Sequence, residues 1–135
     1  MKFRLSAAFV LALAGAVSIS CGGIVDPSQN QVEPFSGTVA PGPSGASLIK
    51  FSSPKTGEIT VKMLTITPAS VSALGIQWIG AGDGNCNGQL WQATVAVANT
   101  TAISGQILSG SYCLVLYDYV GQTVTANYSL TVSHP

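Results

Sequence analysis

Three cysteines are the residues of this chain with the widest range of possible chemistry. Cys21 lies near the amino terminus, whereas Cys86 and Cys113 lie far along the chain. Cysteine thiolates bind metals, act as nucleophiles or form disulfides. A zinc site is disfavoured, because Cys86, Cys113 and the single histidine, His134, give three ligands at most and lack the close pairing of zinc motifs.

The first twenty residues have the pattern of an export signal. Lys2 and Arg4 precede an apolar run at 5–17, and small residues follow it up to Ser20. The run is shorter than the roughly 20 residues that a transmembrane helix needs. With Cys21 directly after it, the segment resembles a bacterial lipoprotein signal. The resemblance implies a helical signal peptide at 1–20 and a diacylglycerol on Cys21 that anchors the protein in the cell membrane or outer membrane. The alternative is ordinary cleavage, which gives a soluble secreted protein.

Export also bears on the other two cysteines. An odd number of cysteines leaves one thiol free, which is a liability in an oxidising compartment. A lipid on Cys21 removes the odd residue and leaves Cys86 and Cys113 to pair. We therefore predict a Cys86–Cys113 disulfide, which closes a loop and stabilises the fold by about 3 kcal/mol in the chain-entropy model.

The acidic and basic side chains show no catalytic pattern. General acid–base catalysis needs a positioned histidine or a pair of carboxylates. His134 lies next to Pro135, and nothing in the sequence brings Asp83 and Asp118 together. The chain has no Gly-x-Ser-x-Gly or His-Glu-x-x-His motif. We predict a non-catalytic protein without a cofactor. The alternative is a secreted hydrolase accessory, or an enzyme whose site is built from distant residues.

The segment DGNCNG at 83–88 comes nearest to a metal motif. Asp83, Asn85 and Asn87 match the opening of a calcium-binding loop, but Thr94 stands where that loop needs a bidentate acid. Asp, Asn and Gly are also the residues that a tight turn requires. We expect a turn held by the disulfide, with calcium at these three residues as the alternative.

Four aromatic residues carry the best binding chemistry in the sequence. Trp78, Trp91, Tyr117 and Tyr119 are flat and amphipathic, and such side chains stack on sugar rings or form hot spots of protein interfaces. Strand alternation places Tyr117 and Tyr119 together on the face opposite the core. The four aromatic residues therefore predict a binding surface for a glycan or an envelope protein. The alternative is that the tryptophans belong to the core and the tyrosines cover it.

The charge of the chain disfavours one class of partner. Lysines and arginines number 5 and acidic residues 5, and removing Lys2 and Arg4 with the leader leaves a net charge of −2 (3 − 5). There is no basic patch or tail, so we do not expect a nucleic-acid partner.

The remaining sequence divides into a tether and one β domain. Residues 21–33 carry Gly, Pro and Gln without periodicity, which predicts a flexible tether. From 34 to 135, short alternating runs are separated by Gly, Pro, Ser and Asn clusters, which is typical of an antiparallel β-sandwich. About eight strands are expected, near 35–40, 46–52, 57–67, 74–80, 90–98, 102–108, 111–119 and 123–133.

Alternation within these runs also predicts the core. One face of a late strand is expected to meet one face of the last strand across the sandwich. The two faces consist of Tyr112, Leu114 and Leu116, and of Tyr128, Leu130 and Val132. After Met63 the alternation changes parity, which indicates a bulge.

Nine positions between 34 and 135 follow a recurrent pattern. It comprises an opening hydrophobic-x-Gly-Thr strand, a strand ending in Phe before a Gly turn, a Gly-x-Tyr strand and a closing Tyr-x-Leu-x-Val strand. The positions are Phe35, Gly37, Phe51, Gly57, Gly110, Tyr112, Tyr128, Leu130 and Val132. In these features the region resembles the bacterial pre-peptidase C-terminal type of domain. The resemblance implies a jelly-roll-like β-sandwich that is mostly a non-catalytic accessory of exported proteins, sometimes with carbohydrate or matrix binding. We therefore expect a membrane-tethered lipoprotein acting as a binding or envelope-structural module.

Overall fold

Eight strands form the regular structure of residues 25–135, the part of the chain that the computed structural model describes. They lie close to their expected positions. The alternation of apolar and polar side chains that marks each strand in the sequence also gives the strand one face to bury. The strands are β1 (Gln31–Val39), β2 (Ser47–Ser53), β3 (Gly57–Thr67), β4 (Leu74–Gly80), β5 (Leu90–Ala96), β6 (Thr100–Ile107), β7 (Gly110–Tyr117) and β8 (Ala126–His134). The prediction of an all-β fold is confirmed.

Short 3-10 turns supply the helical structure of this part of the chain, at Pro27–Gln29 and Pro43–Gly45. Within residues 25–135, no helix is long and apolar enough to cross a membrane. The signal peptide predicted at 1–20 and the lipid predicted on Cys21 lie outside the described residues.

The strands form two four-stranded antiparallel sheets. Sheet one has the order β1-β8-β3-β6 and sheet two the order β2-β7-β4-β5. This is the strand order of a jelly roll, in which most connections pass from one sheet to the other. The connections therefore gather at the two ends of the sandwich. We name these the amino end (25–30, 53–57, 80–90 and 107–110) and the far end (40–46, 67–74, 96–100 and 117–126).

The core lies between the sheets and is built from alternate residues of every strand. The face of β7 and the face of β8 that were expected to meet are buried in one cluster, so that prediction is confirmed. Leu114 and Leu130, one from each sheet, have no exposed surface. Full burial of a leucine contributes about 1.5–3 kcal/mol, so these alternating positions hold the two sheets together.

The predicted bulge is present in β3. Its pairing with β8 shifts between Met63 and Thr65, and its pairing with β6 shifts between Val61 and Lys62. The extra residue explains why the buried side chains of β3 change from odd to even positions along the strand, with Met63 and Ile66 both buried.

Part of the segment predicted as a flexible tether, residues 21–33, forms regular structure. Asp26 caps a 3-10 turn by accepting a hydrogen bond from Ser28 N at 2.9 Å. Strand β1 then begins at Gln31, which pairs with His134 of β8. Backbone pairing needs no side-chain alternation, so the strand extends beyond the region that the sequence pattern marks. Pro34 is tolerated because β1 lies at a sheet edge.

Candidate functional site

The most distinctive surface feature is the ring of Tyr117 on the outer face of sheet two. Tyr117 of β7 is the register partner of Gly75 of β4. A Cβ added at position 75 would overlap the Tyr117 ring, so the ring lies directly over the glycine backbone. Glycine in a strand often marks a place where another group approaches the backbone closely. Together the two residues form a half-buried aromatic platform on the outer face of sheet two.

An open groove of about 470 Å³ runs beside this platform. Three of the residues that line the groove, Gln77, Tyr117 and Asp118, have polar side chains, and the others are apolar or glycine. Its lining, which we call the Tyr117 groove, consists of Gly42, Pro43, Ala46, Gln77, Val115, Tyr117 and Asp118. Small-ligand sites are mainly apolar concavities with a few placed polar groups, in the range of about 300–1,000 Å³.

Asp118 fixes the loops that border the groove. Its carboxylate accepts hydrogen bonds from the backbone N–H groups of Gly42 (3.0 Å), Gly121 (2.8 Å) and Gln122 (2.9 Å). These donors, Gln122 first, hold the pKa of Asp118 below its usual value. Gln122 in turn donates from its buried side chain to Val39 O at 2.7 Å. The carboxylate therefore joins the 40–46 and 117–126 connections into one rigid rim.

Tyr119 does not lie where alternation placed it. Strand β7 ends at Tyr117, because the Asp118 side chain turns the chain into a loop. Tyr119 is 57% exposed in that loop, and Val120 and Val124 are exposed in the same connection. The prediction of one strand face shared by both tyrosines is wrong. Instead, an exposed apolar loop stands next to the Tyr117 groove at the far end.

The two tryptophans are separate from this site. Trp78 is only 4% exposed and belongs to the core, so it is not available as a stacking surface. The prediction of Trp78 as a binding residue is therefore wrong. Trp91 is 44% exposed and stacks on Trp78 with ring centroids 5.7 Å apart. A register shift between Trp78 and Ile79 in the β4–β5 pair accompanies this arrangement. Trp91 thus lies toward the amino end, away from Tyr117.

The disulfide predicted between Cys86 and Cys113 is present, with the two Cα atoms 5.7 Å apart. It attaches the 80–90 connection to β7. Lys50 Nζ donates to Gly84 O at 2.6 Å and reinforces the attachment. The predicted Cys86–Cys113 pair is therefore a structural bond between a loop and sheet two.

The loop itself has the geometry of a turn. Asp83 Oδ1 accepts from Asn85 N at 3.1 Å, and this backbone donor lowers the pKa of Asp83. In residues 25–135, no three His, Cys, Asp or Glu side chains are grouped closely enough to hold a metal ion. Calcium binding at Asp83, Asn85 and Asn87 stays the untested alternative to this turn.

His134 is buried, although it lies directly before Pro135. Its ring lies 5.4 Å from the Phe51 ring centroid, and Nε2 lies 3.3 Å from Glu33 Oε1. Nδ1 lies 3.1 Å from Pro135 O. The imidazole fills the amino end of the core, where a dissolved substrate does not reach it.

The outer faces of the two sheets differ in character. Sheet one presents mainly Ser, Thr and charged side chains, such as Thr131 and Lys62. Sheet two presents Leu48, Val115 and the Tyr117 ring beside few charges. Apolar outer surface is the more informative of the two, because monomeric proteins rarely leave such patches without use.

Comparison with models of known protein families found none that matches the chain, and no curated protein matches it either. Sequence reasoning found Tyr117 but missed Gly75, Gln77 and the bracing role of Asp118. For Gly75, the available signal was a glycine inside a predicted strand.

Proposed function

We propose that this chain is an exported lipoprotein, anchored through Cys21, whose β-sandwich is a non-catalytic binding module with its ligand in the Tyr117 groove. The observation that carries the proposal is the Tyr117 ring lying over Gly75 beside the open groove. The resemblance of residues 34–135 to accessory domains of exported proteins points in the same direction.

The size and chemistry of the groove favour a glycan over a protein. A stable protein interface buries about 1,200–2,000 Å², which calls for a much larger surface than this groove offers. A pyranose ring has a flat C–H face that suits an aromatic ring, and hydroxyls that suit an amide. Tyr117 supplies the first and Gln77 the second, on adjacent strands of sheet two.

The acidic residue that lines the groove, Asp118, favours a structural role over a catalytic one. Asp118 uses its carboxylate oxygens to hold three backbone N–H groups, so it serves as a structural acceptor. A general acid or base needs a proton-transfer partner within hydrogen-bond reach of substrate. The enzyme alternative has no comparable observation in its favour.

The test is retention of the purified lipoprotein on immobilised peptidoglycan fragments and neutral polysaccharides. We expect retention on at least one of these, with at least a tenfold loss of affinity in Tyr117→Ala and Gln77→Ala. Thr131→Ala, on the outer face of sheet one, is the matched control and should bind like the wild type. Gly75→Ala keeps the tyrosine but displaces its ring, and should also bind weakly.

Each variant is first checked for the wild-type unfolding transition. Equal retention of wild type, Tyr117→Ala and Thr131→Ala would show that the groove is not the binding site. No retention of the wild type on any of these glycans would refute the glycan proposal and leave a protein ligand as the competing explanation.

A further inference from the structure

We infer that the amino end of the sandwich docks on the lipid surface, with Trp91 and Leu108 in the headgroup layer, so that the Tyr117 groove faces away from the membrane. The inference rests on the proposed lipid on Cys21. It adds a second contact with the membrane, made by the folded domain itself.

The chain between the proposed anchor and the fold is short. Only Gly22, Gly23 and Ile24 separate Cys21 from Val25. Val25 N already donates to Thr56 O at 3.2 Å, so it is fixed beside the β2–β3 turn. Four residue steps of fully extended chain span at most about 14 Å. A lipid on Cys21 would therefore keep the amino end, and not the far end, close to the bilayer.

The amino end also presents exposed apolar side chains. Trp91 and Leu108 are 44% and 49% exposed, and we call them the amino-end apolar patch. Both residues lie against Tyr112. The Trp91 and Tyr112 ring centroids are 6.5 Å apart, and Tyr112 Oη donates to Leu108 O at 2.9 Å. Tryptophan is enriched at the membrane–water interface, where its ring sits at the level of the headgroups.

Trp91 is already held in place by its neighbours in the folded domain. Trp91 stacks on the buried Trp78, which contacts Tyr112 with centroids 5.7 Å apart. Side chains held in this way lose little conformational freedom when they enter the headgroup layer. Charges at this end are mixed, with Lys55 and Glu58 both exposed. The docking is therefore apolar, and we expect it to occur on zwitterionic lipid and to resist salt.

The opposite end gives an internal control. Strand β7 runs from the amino end to the far end and spans about 25 Å at the usual rise per residue. Tyr119 is exposed at the far end in the loop after β7. If the amino end docks, a fluorophore at position 119 stays outside the reach of a quencher in the headgroup layer.

The experiment uses the lipoprotein expressed with its own leader, its lipid verified by mass, in phosphatidylcholine vesicles containing a headgroup-level spin-labelled lipid. Trp91 fluorescence should be quenched at least twofold, measured as the difference between wild type and Trp91→Phe. A Trp91→Phe/Tyr119→Trp variant should show little quenching at position 119. Leu108→Gln should reduce quenching of Trp91, and 0.5 M NaCl should not.

The outcomes separate this inference from the function on which it rests. A mass without the lipid would overturn the anchor and the docking together. Lipidated protein with Trp91 unquenched, or quenched no more than the tryptophan at 119, would overturn the docking alone. Trp91 shielded from the lipid by a second copy of the chain, seen as a cross-linked dimer through the patch, would also overturn it.

Discussion

The ring of Tyr117 lies over Gly75, its direct partner on the neighbouring strand of sheet two. The two residues are more than forty positions apart in the sequence, and neither residue alone indicates this contact. Glycine weakens a strand by roughly 0.5–1 kcal/mol relative to alanine. Here the missing Cβ leaves the space that the aromatic ring occupies, so the strand-weakening glycine and the half-buried tyrosine form one feature.

Gly75→Ala tests this relationship. The new Cβ displaces the ring, but the strand gains a residue of lower unfolded-state entropy, so the free energy of unfolding should change by less than about 1 kcal/mol. The position of the ring should change clearly. In the wild type, the Gly75 Hα protons should be shifted upfield by the Tyr117 ring current, and Tyr117→Leu should remove the shift. Hα shifts that are the same with and without the tyrosine would contradict the contact.

Leu114→Ala and Tyr119→Ala form a pair that tests the assignment of faces. Leu114 is fully buried, so its truncation leaves a cavity and should lower the free energy of unfolding by about 2–5 kcal/mol. Tyr119 is exposed in a loop, and its truncation should cost less than about 1 kcal/mol. Urea denaturation followed by circular dichroism measures both. Losses in the reverse order would mean that the core faces are assigned wrongly.

Removing the disulfide should destabilise the fold without changing it. Closing the loop between Cys86 and Cys113 limits the unfolded chain and stabilises by about 3–4 kcal/mol in the chain-entropy model. The Cys86→Ala/Cys113→Ala double variant should lose roughly that amount in chemical denaturation. Non-reducing peptide mapping of the wild type should recover the linked pair. Equal stability of the wild type before and after reduction would argue against the prediction.

Asp118 should make the fold sensitive to acid. Its pKa is lowered in the folded state, so the stability it contributes is complete above the unfolded value of about 4 and is lost as the pH falls through the folded value. Wild type should therefore be more stable than Asp118→Asn at pH 7, and the difference should shrink below pH 4. Urea midpoints of both proteins at pH 7, 4 and 2.5 measure this. A difference that stays constant down to pH 2.5 would exclude the linkage.

Cys21 should carry the lipid. Cells expressing the full chain in the presence of labelled palmitate should label it, and the protein should partition into detergent. Cys21→Ser should abolish both results, whereas Cys86→Ala/Cys113→Ala should leave the labelling intact. Label that survives Cys21→Ser would remove the basis of the anchor.

The sequence by itself was sufficient for the local features. Alternation located the eight strands, the parity change after Met63 located the bulge, and the cysteine count gave the Cys86–Cys113 pair. Each of these depends on the residues nearest in sequence or on a simple count. Side chains of a strand alternate between faces whatever the strand pairs with, so the pattern is readable without knowledge of the partner.

Only the tertiary structure decided which residues meet. The sequence does not distinguish Trp78 from Trp91, because burial depends on the neighbouring strands: one ring lies inside the sandwich and the other covers it. The same is true of Tyr117 over Gly75. Asp118 could have been a catalytic acid by its residue type alone. Its three backbone donors come from two loops that the jelly-roll connections bring together at the far end, and that long-range pairing is not encoded in any local pattern.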